Sequence, residues 1–328
     1  MKYRVGIVGC GGIARSHSES LKRMDNVEIV AYADVKPERS QKYAAEYGGK
    51  AYDSLDAMLE AEQLDVLHVC TPHALHVPMA VKAADKGINV FTEKPAAIND
   101  EQMDALMDAA KKVKVGVCFQ NRYNDNVLYV KKELEQGLAG KVIGGRAFVT
   151  WHREAPYYTE SGWRGTLELE GGSALMNQSI HTLDLLTVFL GTPVEAEATM
   201  SNHTLKGTIE TEDTLEAWVR FESGASASFY ATNAYASNAP VFIEIACENK
   251  TYRLEGAELY IKEGKGSFEK VEFTEKEAFG KSYWGTGHLS CINNFYQSID
   301  GSEEYLVKME EANRTMRLGF EVYKSAKK

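Results

Sequence analysis

A glycine-rich segment near the start of the chain has the residue types and spacing of a phosphate-binding loop. An apolar run over residues 3–8 is followed by Gly9, Gly11 and Ala14, which occupy the fixed positions of a GxGxxA pattern. Gly9 permits a tight turn, Gly11 lets the backbone approach a pyrophosphate, and Ala14 lets the next helix pack closely on a sheet. A second apolar run ends at Asp34, whose carboxylate could accept hydrogen bonds from ribose hydroxyls. This order predicts a dinucleotide whose pyrophosphate lies at a helix N-terminus.

Asp34 also predicts which dinucleotide binds. A carboxylate at this position accepts a hydrogen bond from the 2′-hydroxyl of NAD and repels the 2′-phosphate of NADP. Lys36 and Arg39 follow nearby and keep NADP as the alternative. We therefore expect NAD.

A lysine follows one of the predicted strands. Lys94 lies between Glu93 and Pro95, and the segments 70–76 and 120–122 follow two other predicted strands. Ligands of open α/β sheets bind beyond the carboxyl ends of the strands, so these three loops are candidates for the chemistry. A solvated loop charge is the structural alternative for Lys94.

A second group of polar residues lies within a predicted helix over residues 173–190. Asn177, His181 and Asp184 are spaced i, i+4 and i+7, so an α-helix would project all three from one face. We interpret this face as directed toward a substrate and the nicotinamide. A buried hydrogen-bond network within the core is the alternative.

The elements that must position these residues change character along the chain. Up to about residue 120, short apolar runs alternate with amphipathic segments, which predicts a parallel sheet with helical crossovers. Ser54 and Asn99 are predicted to cap two of these helices. After a predicted helix at 127–136, the period changes to two and predicts a large antiparallel or mixed sheet. The predicted strands of this second part are 141–152, 194–204, 211–222, 224–234, 239–247, 250–255 and 258–273.

The predicted fold class is therefore α/β, with a Rossmann domain followed by an α+β domain that has a large, predominantly antiparallel sheet. We place a dinucleotide-binding domain at residues 1–121 and a substrate-binding and oligomerisation domain at 122–328. Further helices are expected at 286–299 and 310–326, with the option that the last one packs on the first domain. Because a single helical layer covers only one sheet face, we expect a homodimer or homotetramer through the other face.

Composition excludes several classes of protein. The chain has 328 residues, a formal net charge of −10 and no cluster of Lys and Arg, which argues against a nucleic-acid partner. Its five cysteines are scattered without ligand-like spacing, so we expect neither a metal site nor disulfides. The first residues are interpreted as a strand, and no apolar run reaches about 18 residues. We therefore expect a cytoplasmic protein with no membrane partner.

Taken together, these motifs resemble the Gfo/Idh/MocA family of sugar and cyclitol dehydrogenases. The resemblance covers essentially the whole chain: the glycine loop, Asp34, the Thr71-Pro72 pair, the Glu93-Lys94-Pro95 loop and the helix with His181 and Asp184. It implies oxidation of a secondary hydroxyl on a small-molecule sugar or polyol, with hydride transfer to NAD. It also implies that Lys94 assists proton transfer and that His181 is the other catalytic group.

The ordinary pKa values of these two side chains divide the roles. Histidine titrates near 6.5 and lysine near 10.4, so a lysine base would need a pKa lowered by about 3. We therefore expect His181 to accept the hydroxyl proton, while Lys94 polarises the substrate oxygen or relays the proton. The resemblance also implies a difference, because many inositol and glucose dehydrogenases of the family have an aspartate where this chain has Asn177. An amide cannot share a proton with the histidine as a carboxylate can.

Aromatic and arginine residues precede the predicted catalytic helix. Trp151 and Trp163 offer ring faces that suit sugars, and Arg153 and Arg164 offer donors for hydroxyls or a carboxylate. A packing segment between domains is the alternative. Two other functions also remain open: an NAD-dependent glycosidase that works by transient oxidation and elimination, and a non-catalytic NAD-binding sensor.

The predicted catalytic residues are Lys94 and His181. The predicted cofactor-binding residues are Gly9, Gly11, Gly12, Ile13, Ala14, Asp34, Thr71, Pro72, His76, Glu93, Lys94 and Gln120. The predicted substrate-binding residues are Lys94, Asn121, Arg122, Trp151, Arg153, Trp163, Arg164, Asn177, His181 and Asp184. No residue is predicted to bind a metal.

Overall fold

The computed structural model describes residues 2–274 and 287–326. The described chain forms two compact units, one of residues 2–120 with 287–313 and one of residues 121–274 with 314–326. The helix predicted at 286–299 therefore begins outside the described residues and otherwise lies in the first unit. The functional division at residues 121 and 122 stays a prediction.

The first unit contains a six-stranded sheet in which every strand pairing is parallel. The strand order is β3-β2-β1-β4-β5-β6, which is the order of the nucleotide-binding Rossmann fold. This confirms the predicted fold of the first part. The strands are β1 (Tyr3–Val8), β2 (Val27–Ala33), β3 (Lys50–Tyr52), β4 (Val66–Val69), β5 (Asn89–Thr92) and β6 (Val115–Val117).

Helices of the first unit connect these strands. Ser54 Oγ accepts from the Ala57 amide at 3.3 Å, and Asn99 Oδ1 accepts from the Gln102 amide at 2.8 Å, which confirms the two predicted caps. The helices are α1 (Gly12–Leu21), α2 (Pro37–Tyr47), α3 (Leu55–Ala61), α4 (His76–Ala84), α5 (Asp100–Ala110) and, later in the chain, α9 (His288–Asp300).

Helix α9 packs beside α1 and completes the core of the first unit. Phe295 of α9 lies against Phe91 of β5, with ring centroids 5.2 Å apart, and both side chains are buried. The neighbouring β6 carries Gly116, where a Cβ atom would lie 2.5 Å from the Phe295 ring and 3.0 Å from Phe91. Only a residue without a side chain fits between these rings.

The second unit contains an eight-stranded sheet of order β14-β13-β12-β11-β7-β10-β9-β8. All of its pairings are antiparallel except that between β10 and β7, which confirms the predominantly antiparallel prediction. The strands are β7 (Val142–Thr150), β8 (Pro193–Ser201), β9 (Thr214–Phe221), β10 (Ser226–Thr232), β11 (Phe242–Cys247), β12 (Lys250–Glu255), β13 (Glu258–Glu263) and β14 (Glu269–Val271). The single strand predicted at 258–273 is wrong, because the chain turns back and forms two strands.

Helix α8 packs against β7 of this sheet, and α6 packs beside α8. The helices of the second unit are α6 (Asp125–Glu135), α7 (Ala155–Thr159), α8 (Ile180–Leu190) and α10 (Met309–Ala326), whose first residues belong to the first unit. The helix predicted at 173–190 is present at 174–190, but its first six residues, Ala174–Ser179, form a π-helical turn and not an α-helix. Among the described residues, no helix is long and apolar enough to cross a membrane.

Gly116→Ala tests the packing of β6 against α9. Because the added methyl group would force the Phe295 and Phe91 rings apart, we expect the free energy of unfolding to fall by about 1–3 kcal/mol. Urea unfolding measures the change. Gly12→Ala is the control, since a Cβ atom there meets nothing within 4 Å. Equal stability of both variants would contradict this packing.

Candidate active site

The glycine loop begins at the end of β1, where its backbone passes close to Cys70, the residue that follows the neighbouring strand β4. Gly9 has a φ of +86°, and a Cβ atom there would lie 2.6 Å from the carbonyl group of Cys70. Its amide donates to the Ala33 carbonyl at 2.8 Å. Glycine is therefore required at this position by both backbone conformation and space.

The start of α1 fits the pyrophosphate of a dinucleotide. A Cβ atom at Gly11 or Gly12 would meet nothing within 4 Å, so the backbone is open to a ligand there. The first turn has no acidic residue and no side-chain cap, which leaves its amide groups for an anion. Ala14 is fully buried and Ile13 is half-buried, which is compatible with close packing of α1 on the sheet.

Asp34 is oriented by two backbone amides. Its Oδ2 accepts from the Cys10 amide at 2.7 Å and its Oδ1 from the Lys36 amide at 2.8 Å. Each carboxylate oxygen keeps a second acceptor position, so these contacts are compatible with a ribose hydroxyl. The side chains of Lys36 and Arg39 are exposed. The ribose contact itself stays a prediction.

His76 connects the two loops that follow β4 and β5. One ring nitrogen lies 2.9 Å from the Thr71 carbonyl oxygen and the other lies 2.8 Å from that of Pro95. Burial lowers the pKa of His76, while the two carbonyl contacts act against that lowering. Thr71 Oγ1 is buried without a hydrogen-bond partner among the described residues, so it could bind a ligand atom. His76 therefore holds both loops at the carboxyl edge of the sheet.

The remaining predicted cofactor residues of the first unit lie around the same edge. Pro72 and Lys94 are half-buried, whereas Gln120 and Glu93 are buried. The Glu93 carboxylate accepts from the Lys94 amide at 3.2 Å and lies 2.9 Å from a ring nitrogen of His17. Protein groups thus engage the Glu93 carboxylate, and its assigned cofactor contact stays a prediction.

In the second unit, Arg122 and Asp184 form a buried, bidentate ion pair. Arg122 Nε donates to Asp184 Oδ2 at 2.7 Å, and Nη2 donates to Oδ1 at 2.7 Å. Thr315 of α10 donates to the same Oδ1 at 2.7 Å. Because protein donors engage both oxygens of Asp184, this geometry indicates a structural role for the pair. Its predicted contact with substrate stays untested.

Asn177 lies on the π-helical turn and not on α8. The amide of Gln178 donates to the Ser173 carbonyl at 3.1 Å, which closes the wider ring of a π-turn. The i, i+4, i+7 face predicted for an α-helix therefore does not run from Asn177 through to Asp184. Asn177 and His181 are half-buried, whereas Asp184 is buried.

A buried acid holds the Asn177 amide. Asn177 Nδ2 donates to Glu170 Oε1, and the Gly165 amide donates to Glu170 Oε2 at 2.6 Å. Burial, opposed by these hydrogen bonds and aided by the charge of Glu212, raises the pKa of Glu170 to about 7. Glu212 accepts from the Tyr323 hydroxyl at 2.8 Å, and burial raises its pKa too. A carboxyl group that titrates near neutrality thus lies one hydrogen bond from Asn177.

The aromatic and arginine residues form stacked pairs. Arg153 lies 5.0 Å from the Trp151 ring centroid, and its Nη2 donates to Gln178 Oε1 at 2.7 Å. Arg164 lies 4.9 Å from the Trp163 centroid.

Asn121 Oδ1 is buried without a hydrogen-bond partner among the described residues, which leaves an acceptor for a ligand.

Family comparisons agree with both units. Residues 3–120 match the model of an oxidoreductase family with an NAD-binding Rossmann fold, and residues 127–253 match the GFO/IDH/MocA C-terminal domain. The chain belongs to the Gfo/Idh/MocA family. Its first unit is the NAD-binding Rossmann fold of these oxidoreductases, which confirms the predicted cofactor.

Individual family members show how far the similarity extends. The D-glucoside 3-dehydrogenase of Escherichia coli (strain K12) is 29% identical over 241 residues, 67% of each chain. The myo-inositol 2-dehydrogenase of Thermotoga maritima is 28% identical over 228 residues, 68% of this chain and 66% of that one. The WlbA dehydrogenase from Bordetella pertussis, solved in complex with NADH and UDP-GlcNAcA, is 31% identical with a TM-score of 0.87. The match covers 100% of this chain and 97% of the WlbA chain. Matches to the first curated relatives span from half to two thirds of their length.

Two features of this family member escaped the sequence analysis. His17 and His68 are fully buried and lie 2.8 Å apart through their Nδ1 atoms. A polar residue inside the apolar strand β4 was the available signal for His68. Glu170 carried no local signal, because its burial depends on residues distant in sequence.

Glu170→Gln should change the pH dependence of stability. The unfolded glutamate loses its proton near pH 4.5, whereas the folded one keeps it to about pH 7. Glu170 therefore lowers the free energy of unfolding progressively over that interval, by about 3 kcal/mol in total. The Gln variant should lack this decline in urea unfolding measured from pH 4 to about pH 8.

The exposed Glu160→Gln is the matched control for this measurement. It should keep the wild-type pH profile. A Glu170→Gln profile parallel to the wild type over the same interval would contradict the raised pKa.

Proposed function

We propose that this chain is an NAD-dependent dehydrogenase that oxidises a secondary hydroxyl of a sugar, sugar derivative or cyclitol. The observation that carries the proposal is the position of Lys94 two residues after β5, at the sheet edge where β1 ends in the open glycine loop. His76 joins the Lys94–Pro95 loop to the loop after β4. A lysine held at this edge suits work on a group beside a bound dinucleotide.

The proposed reaction divides proton and charge between two residues. Bound NAD supplies a hydride acceptor for the carbon that bears the hydroxyl group. His181 accepts the hydroxyl proton as general base, because imidazole ordinarily titrates close to neutral pH. Lys94 holds positive charge near the substrate oxygen or relays the proton. Asn177 orients a substrate hydroxyl, and its amide is fixed by Glu170.

The substrate class is supported by ring-binding groups and by the relatives. Trp163 is half-buried with Arg164 over its ring and supplies an apolar face together with a forked donor, whereas Trp151 is buried against Arg153. The proteins named as D-glucoside 3-dehydrogenase and myo-inositol 2-dehydrogenase act on a sugar and a cyclitol. We propose the same chemical class for this chain.

A substrate screen with two variants tests the function. NADH formation is followed on sugars, cyclitols, sugar acids and glycosides, with product analysis. Because general acid–base groups contribute about 10²- to 10⁴-fold, Lys94→Ala and His181→Ala should each lower kcat by a factor in that range.

The exposed Lys112→Ala and His203→Ala are the matched controls and should keep wild-type kcat. Near-normal kcat in both active-site variants would refute the assignment. Release of an aglycone without NADH accumulation would show that the protein is a glycosidase and not a dehydrogenase. NAD binding without turnover on any substrate would identify a sensor.

We also propose a cytoplasmic homodimer or homotetramer. The outer face of the eight-stranded sheet carries aromatic residues in adjacent register: Tyr230 pairs with Phe148, which pairs with Phe242. On the same face Trp218 is 38% exposed. An aromatic sheet face of this kind suits a second copy of the chain. All five cysteines are unpaired and buried, which suits a reducing compartment.

Trp218→Asp tests the oligomer. A desolvated charge at the centre of an interface is unfavourable, so the variant should elute with a lower mass by light scattering than the wild type. Leu138→Asp is the control, since Leu138 is 50% exposed in the turn after α6. A monomeric wild type, or an unchanged mass of Trp218→Asp, would overturn this arrangement.

A further inference from the structure

A chain of hydrogen bonds runs through the interior of the first unit beneath the Lys94 loop. His17 Nε2 lies 2.9 Å from Glu93 Oε1, and His17 Nδ1 lies 2.8 Å from His68 Nδ1. His68 Nε2 lies 3.0 Å from the Tyr296 hydroxyl. All four side chains are buried, and none of them takes part in the proton and hydride transfers proposed above.

Donor and acceptor rules fix the direction of the bond at Glu93. An ionised carboxylate only accepts, so His17 Nε2 must carry a proton that it donates to Glu93. With neutral imidazoles, His68 Nδ1 then donates to His17 Nδ1, and Tyr296 donates to His68. With a cationic His17, the two bonds beyond it reverse. In either charge state, the bond from His17 to Glu93 keeps its direction.

The charge of Glu93 is maintained by its neighbours against burial. Burial acts to raise the pKa of Glu93, but the His17 hydrogen bond and the nearby cationic groups hold it well below its usual range. The titratable groups of the described residues that interact with Glu93 include His17, His68, His76, His288, Cys70, Cys118 and Lys94. Burial raises the pKa of both cysteines, so they remain neutral. Burial also lowers the pKa of His288 to about 4. The Cys118 thiol also makes a side-chain hydrogen bond to Glu93, but a thiol is a weak donor, so His17 supplies the strong side-chain donor.

The hydrogen bond between His17 and Glu93 joins two different elements of the first unit. His17 lies on α1, whose N-terminus follows the glycine loop, while Glu93 immediately precedes Lys94 and accepts from its amide. One hydrogen bond thus joins the helix of the dinucleotide loop to the loop of the catalytic lysine. Cys118 Sγ lies within 4.8 Å of the same atoms, but hydrogen bonding already accounts for the histidine and the glutamate.

We propose that His17 is a positioning residue, which holds the Glu93 carboxylate ionised beneath Lys94 and thereby couples the dinucleotide loop to the charge and placement of that lysine. This inference rests on the proposed role of Lys94. It predicts that the protonation of Lys94 depends on a residue that touches neither substrate nor cofactor.

Labelling of Lys94 tests the coupling without any need for turnover. The intact chain is acetylated over a range of pH without NAD, and mass spectrometry of the Lys94 peptide gives the pKa of its amine. In His17→Ala the buried Glu93 loses its strongest side-chain donor and takes up a proton, so the pKa of Lys94 should fall by about 1. His17→Gln can donate from its amide and should restore the wild-type value.

Further variants keep the proposal falsifiable if His17→Ala fails to fold. Glu93→Gln removes the charge with little change of shape and should lower the pKa of Lys94 as much as His17→Ala. Ser20→Ala is the control, because Ser20 is buried on the same helix and, within the part of the chain that the structure describes, its hydroxyl bonds to the Ser16 carbonyl of that helix. It should leave Lys94 unchanged.

Steady-state kinetics and thermal unfolding complete the test. Loss of positioning should lower kcat and displace its pH profile in His17→Ala, with rescue in His17→Gln. A lower melting temperature with unchanged Lys94 pKa would make His17 merely structural and overturn the inference. An inactive wild type whose Lys94 pKa still falls in His17→Ala would refute the proposed function and support the coupling.

Discussion

A carboxylate removed from water must keep hydrogen-bond donors at its oxygens, and this constraint organises both units. Glu93 accepts hydrogen bonds from a His17 ring nitrogen and the Lys94 amide, and Asp184 accepts two hydrogen bonds from the Arg122 guanidinium. An ionised carboxylate buried without donors would be destabilised by several kcal/mol. The hydrogen bonds that stabilise these ionised carboxylates therefore also hold in place the helices and loops that supply the donors.

The kind of donor decides whether a buried acid keeps its charge. Burial acts to raise the pKa of both Glu93 and Glu170. Glu93 faces an imidazole and a cationic neighbourhood, which outweigh burial, so its carboxylate remains ionised. Glu170 has amide donors from Asn177 and Gly165 and the repulsive charge of Glu212, so burial prevails. Similar burial thus produces a fixed charge in one unit and a group that titrates near neutrality in the other.

This difference bears on Asn177, where the family resemblance implies an aspartate in the inositol and glucose dehydrogenases. Asn177 cannot exchange a proton, but its amide is held by Glu170, which can. A titratable acid thus lies one hydrogen bond away from the Asn177 amide. The π-turn that presents Asn177 separates it from the face of α8, so the asparagine and His181 belong to different local geometries.

The sequence by itself determined the features that depend on neighbours along the chain: the glycine loop with its positive φ at Gly9, the caps at Ser54 and Asn99, and the change from helical crossovers to strands of period two. Only the tertiary structure decided which buried polar groups meet. His17 and Glu93 lie 76 residues apart, and Arg122 and Asp184 lie 62 apart. The physical reason is that turn, cap and period are set by local sterics and hydrogen bonds, whereas the partner of a buried charge is set by packing between elements that the local pattern does not specify.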